Sequence, residues 1–519
     1  MPIPLVDVLI DWNADSDFSD TGEDVSTRVR VQPGMRLSRG RDQIRSLAPP
    51  AAGSATVTLQ NASGDYSSQN SGSPLAGNLL PGRTLRVRGF RGTRYNYNAS
   101  LAYNAVGVPY NGSAENAEMW RGPIDDIQED PSRMAKTVTL PALGTLSRLR
   151  RKLTASDVNG ISTALYQSIT TDVALGYVLD AISWPAADRV LDTGKTTLLW
   201  WWLQDADPWD AMVAILNTEG PGTAIYEDGQ GRIHFESRHY RLLTARCTAV
   251  QATFRDTGAE PLHSEPFSIN PNLKDIINAC QITVKTRSTD ALGVVWTLGE
   301  TVTLAPNEVR AYIATNTDPF TAAVTPVNAT DYTVTTGSLS SVVLNRTSGQ
   351  SCTITLTAGS SGATVTGLQL RAQTVTVDNT IQVAETIDVT TSQNNHGYRP
   401  YVYPVREEIS TNVAQDFCNA IVSAYQSPRP VVQITVIGSG ADRLTQILNR
   451  EISDRIHIVE ARSYVDHPYF LEQIALESIN ADPIWQAVFG AEKAQAGADL
   501  TFVLDSATNG VLNTNQLGF

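Results

Sequence analysis

The sequence predicts a mainly β, multidomain chain with α+β parts. Three observations carry this. The chain has 519 residues, too many for one core, and three or four domains are expected. Apolar and polar residues alternate in many short runs, the period of half-buried strands. Clusters of Gly, Asn, Asp, Ser and Pro separate those runs as turns, and Met is rare, at five residues.

Composition narrows the functional classes. With 41% hydrophobic and 18% charged residues the chain reads as a folded protein with a low charge density. Its net charge of -14 argues against coating or sequence-specific reading of nucleic acid. Met1 is followed by no basic head and no long apolar core, so no leader is expected. The strongest apolar cluster runs only from Leu198 to Leu203, so no membrane span is expected. Cys247, Cys280, Cys352 and Cys418 are widely spaced and read as free and buried.

The first unit is placed at residues 1–150. Val6, Val8 and Ile10 mark a strand, and Val25 to Val31 a second. Between them lies an acidic loop with Asp11, Asn13, Asp15 and Asp17 at alternate positions, the start of a calcium-loop pattern. The pattern fails at its sixth position, Ser16, and its twelfth, Gly22, so a solvated turn without metal is expected. A strand from Ala55 to Asn61 follows. Pro81-Gly82 makes a turn into the strand Leu85 to Arg88. There Arg86 and Arg88 share one face, Leu85 and Val87 the other. The apolar face belongs in the core. The arginine face, with Arg83, is left available to an acidic partner, so Arg83, Arg86 and Arg88 are the candidate subunit-interface residues. Tyr95, Tyr97, Tyr103 and Tyr110 lie in an Asn- and Tyr-rich segment and are candidate surface-contact aromatics. A strand starting at Trp120 and one from Lys136 to Leu140 complete this unit.

The second unit, 151–290, mixes helices and strands. Thr171-Asp172 can cap a helix that Trp184-Pro185 stops. Asp207 caps a second helix, Pro208 takes its first position, and Trp209, Met212, Val213 and Leu216 form its apolar face. Gly220 ends it. Strands Thr223 to Tyr226 and Arg232 to Phe235 flank the turn Asp228 to Gly231. His234 and His239 have no Cys or His cluster around them and read as local hydrogen-bonding groups.

At 291–376 the composition shifts to Thr, Ser, Val and Ala. Runs at 301–304, 309–313, 331–335, 341–344, 352–356 and 368–372 predict an inserted β-sandwich. Three arginines and no lysine fall between Asp290 and Arg371, which excludes a basic surface. The last unit, 377–519, carries a helix from Asn412 to Tyr425, a strand from Val431 to Ile437 and a short helix around Leu444 and Ile447. Further strands run from Arg455 to Ala461, Phe470 to Ile479 and Trp485 to Phe489.

No GxSxG, HExxH, phosphate-binding loop or dinucleotide fingerprint occurs. Asp466-His467, Ser463 and Glu472 are neighbours in sequence, without the elbow a hydrolase nucleophile needs. Asp125-Asp126 and Glu407-Glu408 are adjacent pairs, and adjacent strand residues face opposite ways. No enzyme, cofactor or metal is expected.

The phrasing of the chain adds a family. Arg39-Gly40-Arg41, Ala52-Gly53, Thr58-Leu59-Gln60-Asn61, Gly64-Asp65-Tyr66 and Pro81-Gly82-Arg83 come in an order that resembles the start of minor tail proteins of long-tailed, siphovirus-type phages. These are hub-type proteins of the tail tip. The run Tyr226 to Gly231, then Arg232-Ile233-His234-Phe235 and Arg238, is similar to the same family. The phrases around Asp331-Tyr332 and Leu368-Gln369-Leu370-Arg371 are similar to inserts in actinobacterial phage tail proteins, and Phe502 to Leu512 is similar to their closing phrase. The resemblance implies a virion protein of the tail tip with two tube-like β-barrels, in 1–150 and 377–519. It implies a homotrimeric ring that meets the distal tail or tail tube protein, the tape measure protein and receptor-binding proteins. The alternative is a host-surface glycan-binding attachment protein.

Overall fold

In the computed structural model of the chain, the described residues are 6–30, 34–41, 43–91, 115–132, 136–150, 160–271, 273–388, 391–405, 407–439, 441–479 and 484–494. Tyr95, Tyr97, Tyr103 and Tyr110 lie outside them, as does the closing phrase 502–512.

The chain is mainly β, in several sheets with helices packed among them. The first strands are β1 (Val6–Asp11), β2 (Met35–Gly40), β3 (Ser54–Gln60), β4 (Thr84–Arg91), β5 (Glu115–Pro123), β6 (Gln128–Asp130) and β7 (Thr137–Leu143). Strands β1, β4 and β5 form one antiparallel sheet. Strands β2, β3, β7 and β6 enter a ten-stranded sheet with Ser264–Asn270, Val431–Ile437, Ile484–Lys493 and Val465–Ile479 on its path. The two ends of the chain meet in this sheet. Strand β2 lies antiparallel to Val465–Ile479, with Arg36 opposite Glu477 and Gly40 opposite Gln473. The strands expected in two barrels are thus hydrogen-bonded to each other. Val8, Val57 and Leu85 share one core with Ile434, Ile474, Trp485 and Phe489.

One expected strand is corrected. Residues 25–31 hold a 3-10 turn at Ser26–Arg28. The Val8 amide donates to Ser26 Oγ at 2.9 Å, and the Ser26 amide donates to Asp24 Oδ1 at 3.0 Å. These local side-chain bonds replace a strand ladder. Among the described residues of this run, Val29 bridges Leu59 and the Arg30 amide donates to the Thr58 carbonyl at 2.8 Å.

The helices form where expected, with one correction: Thr171 and Asp172 do not cap the first, whose N-cap is Thr170, because Thr171 Oγ1 donates to Glu219 and Asp172 Oδ1 accepts from the Gly194 amide. Thr171–Ala181 and Pro208–Glu219 pack together around Leu175, Val178, Met212 and Ile215. Asp207 caps the second through the amides of Trp209 and Asp210, at 2.9 and 3.1 Å. Ser410 caps Thr411–Tyr425, whose Phe417, Cys418 and Ile421 pack on Ile282 and Val284 of the strand Ala279–Thr289. All four cysteines are free and buried.

Residues 293–387 form a sandwich around Val302, Ile354, Leu356, Val365 and Leu370. Its strands are longer than the sequence pattern indicates. Runs 331–335 and 341–344 belong to one strand, Thr333–Arg346, and runs 352–356 and 368–372 open Ser351–Thr366 and Gln369–Ile387. Gly337 and Gly362, at φ of +73° and +74°, bend the ladder without ending it, a conformation open to glycine. The last strand crosses the expected boundary at 376 and pairs with Ala279–Thr289. Among the described residues no helix is long and apolar enough to cross a membrane.

Candidate functional site

The stretch Arg39-Gly40-Arg41 ends β2 at the centre of the molecule. Arg39 Nη1 donates to both carboxylate oxygens of Glu451, at 2.5 and 2.7 Å. Gly40 has φ +115°, and a Cβ there would stand 2.3 Å from the Glu472 carbonyl oxygen. Only glycine fits that approach. Arg41 Nε donates to Glu472 Oε2 at 2.8 Å, and its Nη1 to the Ala48 carbonyl at 2.7 Å. Its Nη2 reaches the Thr223 carbonyl.

Glu472 takes a second guanidinium. Arg241 Nη1 and Nη2 donate to Oε1 and Oε2. Burial alone would push the Glu472 carboxyl up, but the charges of Arg241 and Arg41 outweigh it and hold it below the usual carboxylate range. Arg241 also donates to Ser453 Oγ, which donates to Glu236, and Glu236 accepts from Tyr226 at 2.9 Å. Burial raises both Glu236 and Tyr226. Nearby, Glu492 accepts from Ser46 Oγ at 2.7 Å and from Tyr425 at 3.1 Å.

The Ala52-Gly53 motif meets the same junction from another side. The buried Glu227 carboxylate accepts from the Gly53 amide, the Leu146 amide at 2.9 Å and Thr145 Oγ1 at 3.1 Å. A Cβ on Gly53 would stand 2.3 Å from Glu227 Oε1. The next residue, Asp228, accepts from the amides of Gln230 and Arg232, both at 2.9 Å, and from Arg232 Nε at 2.8 Å. His234 Nε2 stands 3.0 Å from it. Burial opposes its charge, but these donors win and bring its pKa down to about 2. The arrangement binds residues from three of the expected units, 1–150, 151–290 and 377–519.

The arginine face of β4 is corrected in one respect: it is not left free. Arg86 forks onto Glu118 of β5, with Nε–Oε2 at 3.0 Å. Arg88 Nη2 donates to Asp7 Oδ2 of β1 at 3.0 Å, and Asp7 is buried. Arg83 Nε donates to the Asn78 carbonyl at 3.1 Å. Antiparallel pairing places acids of β5 and β1 beside Arg86 and Arg88, which pair with them within the chain.

The acids and bases near residue 467 do not converge. His457 Nε2 meets Asp466 Oδ1 at 2.6 Å, and His467 is exposed. Glu472 is enclosed between Arg41 and Arg241. Sequence reasoning missed Glu227, Glu451 and Arg241 as junction residues. The available signal was Glu472, a lone acid inside the apolar run from Tyr469 to Ile474.

No family model matches the chain, and no curated protein matches it. Solved structures do resemble it. A tail protein from Neisseria meningitidis MC58 aligns with 10% identity and a TM-score of 0.47, covering 95% of this chain and 97% of that one. The 43 kDa tail protein of prophage MuSo2 from Shewanella oneidensis aligns with 9% identity and a TM-score of 0.46, over 94% and 96%. Prophage tail protein gp18 from Listeria monocytogenes EGD-e aligns with 8% identity and a TM-score of 0.40, over 93% and 94%. At TM-scores under 0.5 these likenesses carry no functional argument.

Proposed function

We propose that the chain is a structural protein of a phage tail and, within the tail, a hub at the tip. The observation that carries the reading is the junction made by Arg39-Gly40-Arg41. The motif that opens the family resemblance is also the one that binds the start of the chain to residues 451–492. A ring component that transmits force between tail parts needs its ends joined in one rigid body, and buried ion pairs in a shared sheet supply that.

In this proposal residues 1–150 and 377–519 build the inner wall, 151–290 sits outside it, and 291–376 is a sandwich available to other tip proteins. Three copies close a ring by heterologous contacts that repeat around an axis. The ring joins the distal tail or tail tube protein on one side and receptor-binding proteins on the other, with the tape measure protein ending at its channel. Arg83, Arg86 and Arg88 lie at the assembly surface, Arg86 paired to Glu118 and Arg88 to Asp7, and Tyr95, Tyr97, Tyr103 and Tyr110 serve as contact aromatics. The protein belongs to a siphovirus-type virion, at the tip, with an actinobacterial host, and it has no enzymatic role.

The test is the mass and shape of the purified protein together with labelling of the virion. Light scattering should give three chains per particle, electron microscopy a ring with a central hole, and gold-labelled antibody a signal at the tail tip. A monomer at high concentration with label absent from the tip overturns the hub. Label along the whole tail overturns the tip assignment while leaving a tail protein.

A further inference from the structure

The acidic loop after β1 is the exposed turn expected of it from Asn13 to Gly22, but its two ends, Asp11 and Glu23, are buried. Its strand and its return turn bring three carboxylates together. Asp11 ends β1, Asp15 lies on the loop, and Glu23 sits where the chain returns. One carboxylate oxygen from each lies within 4.8 Å of the other two. Glu23 is one place beyond the twelfth position of the calcium-loop pattern, which is why the pattern misses it.

A second observation separates this group from an ordinary acidic surface. Glu23 is 2% exposed, and Asp11 4%. The Glu23 backbone is pinned, with its carbonyl accepting from the Ile10 amide at 2.9 Å. Its Oε2 accepts from the Asp20 amide at 3.1 Å, but its buried Oε1 has no hydrogen-bond partner. A buried anionic oxygen without a partner costs free energy unless something positive meets it. Among the described residues no Lys, Arg or His forms an ion pair with Asp11, Asp15 or Glu23.

We propose that Asp11, Asp15 and Glu23 form a binding site for a calcium ion. The donors are all hard oxygens, which selects a hard divalent cation over transition metals. Calcium–oxygen distances of about 2.3–2.6 Å let ligands stand up to about 5 Å apart across the ion, whereas magnesium at about 2.0–2.1 Å allows only about 4 Å. Three carboxylate oxygens gathered by an irregular loop suit calcium's variable coordination geometry better than magnesium's near-ideal octahedron. The exposed Asp15 side leaves room for water in the remaining positions. The ion would fix the loop against β1, which pairs with β4 and its arginines.

The test uses the full chain, freed of metal by chelation. Titration calorimetry with calcium chloride should show one site per chain, with a dissociation constant at or below about 1 mM. The melting midpoint should rise with calcium concentration. Asp15→Asn and Glu23→Gln should each weaken binding at least about tenfold, while Asp17→Asn, in the same loop but outside the trio, should bind as wild type does. Asp15 is exposed, so its variant carries the test if Glu23→Gln does not fold. The site is overturned by no heat up to about 10 mM calcium. It is equally overturned if Asp15→Asn binds as tightly as wild type, or if Asp17→Asn loses as much as Asp15→Asn. Tighter binding of magnesium chloride than of calcium chloride overturns the choice of ion.

Discussion

Arg41 and Glu472 stand 431 positions apart and meet at 2.8 Å in the interior, with side chains almost fully buried on both sides. Arg241 closes on the same carboxylate from the second region of the chain. One acid thus pairs with two buried guanidinium groups at once. Replacing Glu472 by Gln leaves both with an amide and removes the charge they share. Such a change should cost roughly 3–5 kcal/mol, read as a lower urea midpoint. An unchanged midpoint would mean that the junction is not what holds the two ends together.

Acid should act on the turn at Asp228. Its folded pKa of about 2 lies below the ordinary value of 3.8. A depressed carboxylate contributes stability that is present above pH 4 and is lost as pH falls through its folded pKa. The shift corresponds to about 2 kcal/mol. Asp228→Asn should remove that contribution at pH 7, so the wild type and variant should converge in stability as pH drops from 4 to 2. Parallel curves over that interval would refute the assignment.

The β4 pairs separate folding from assembly. Arg86→Glu alone sets two carboxylates together at Glu118 and should cost roughly 1–3 kcal/mol. The exchange Arg86→Glu with Glu118→Arg restores the pair and should recover most of it. If the recovered protein also forms the ring, this pair is structural and makes no assembly contact. If it folds but stays monomeric, the pair faces a neighbouring subunit.

The sandwich should be removable at one place. The Asp290 amide donates to the Thr374 carbonyl at 2.8 Å, so the two strands that lead into it are already adjacent there. Joining Asp290 to Thr374 through Asn-Gly, with 291–373 deleted, keeps the ladder from Thr289–Val375 inward. The deletion loses the Gly349–Thr163 backbone bond and the Ser348–Gln204 contact. The shortened chain should stay soluble and melt cooperatively. Aggregation of a chain cut at this point would make the sandwich part of the frame.

Local chemistry was legible in the sequence. Asp207, Pro208 and Gly220 set the bounds of their helix because capping and backbone geometry act within a few residues. Val431–Ile437 and the strands around Asp228–Gly231 followed from alternation and turn residues. The buried, free cysteines followed from their spacing. Tertiary structure alone decided the rest. Alternation places Arg86 and Arg88 on one face of β4, but which acids stand opposite depends on the pairing of β1 and β5. The runs 331–335 and 341–344 read as two strands, although one strand, Thr333–Arg346, carries the ladder past a register shift at Gly337. Arg39, Gly40 and Arg41 are conspicuous as a motif, yet their partners Glu451 and Glu472 lie over 400 residues away. No local rule reaches that far: a strand's pattern states what it buries, and the partner that satisfies a buried charge is chosen by the sheet it joins.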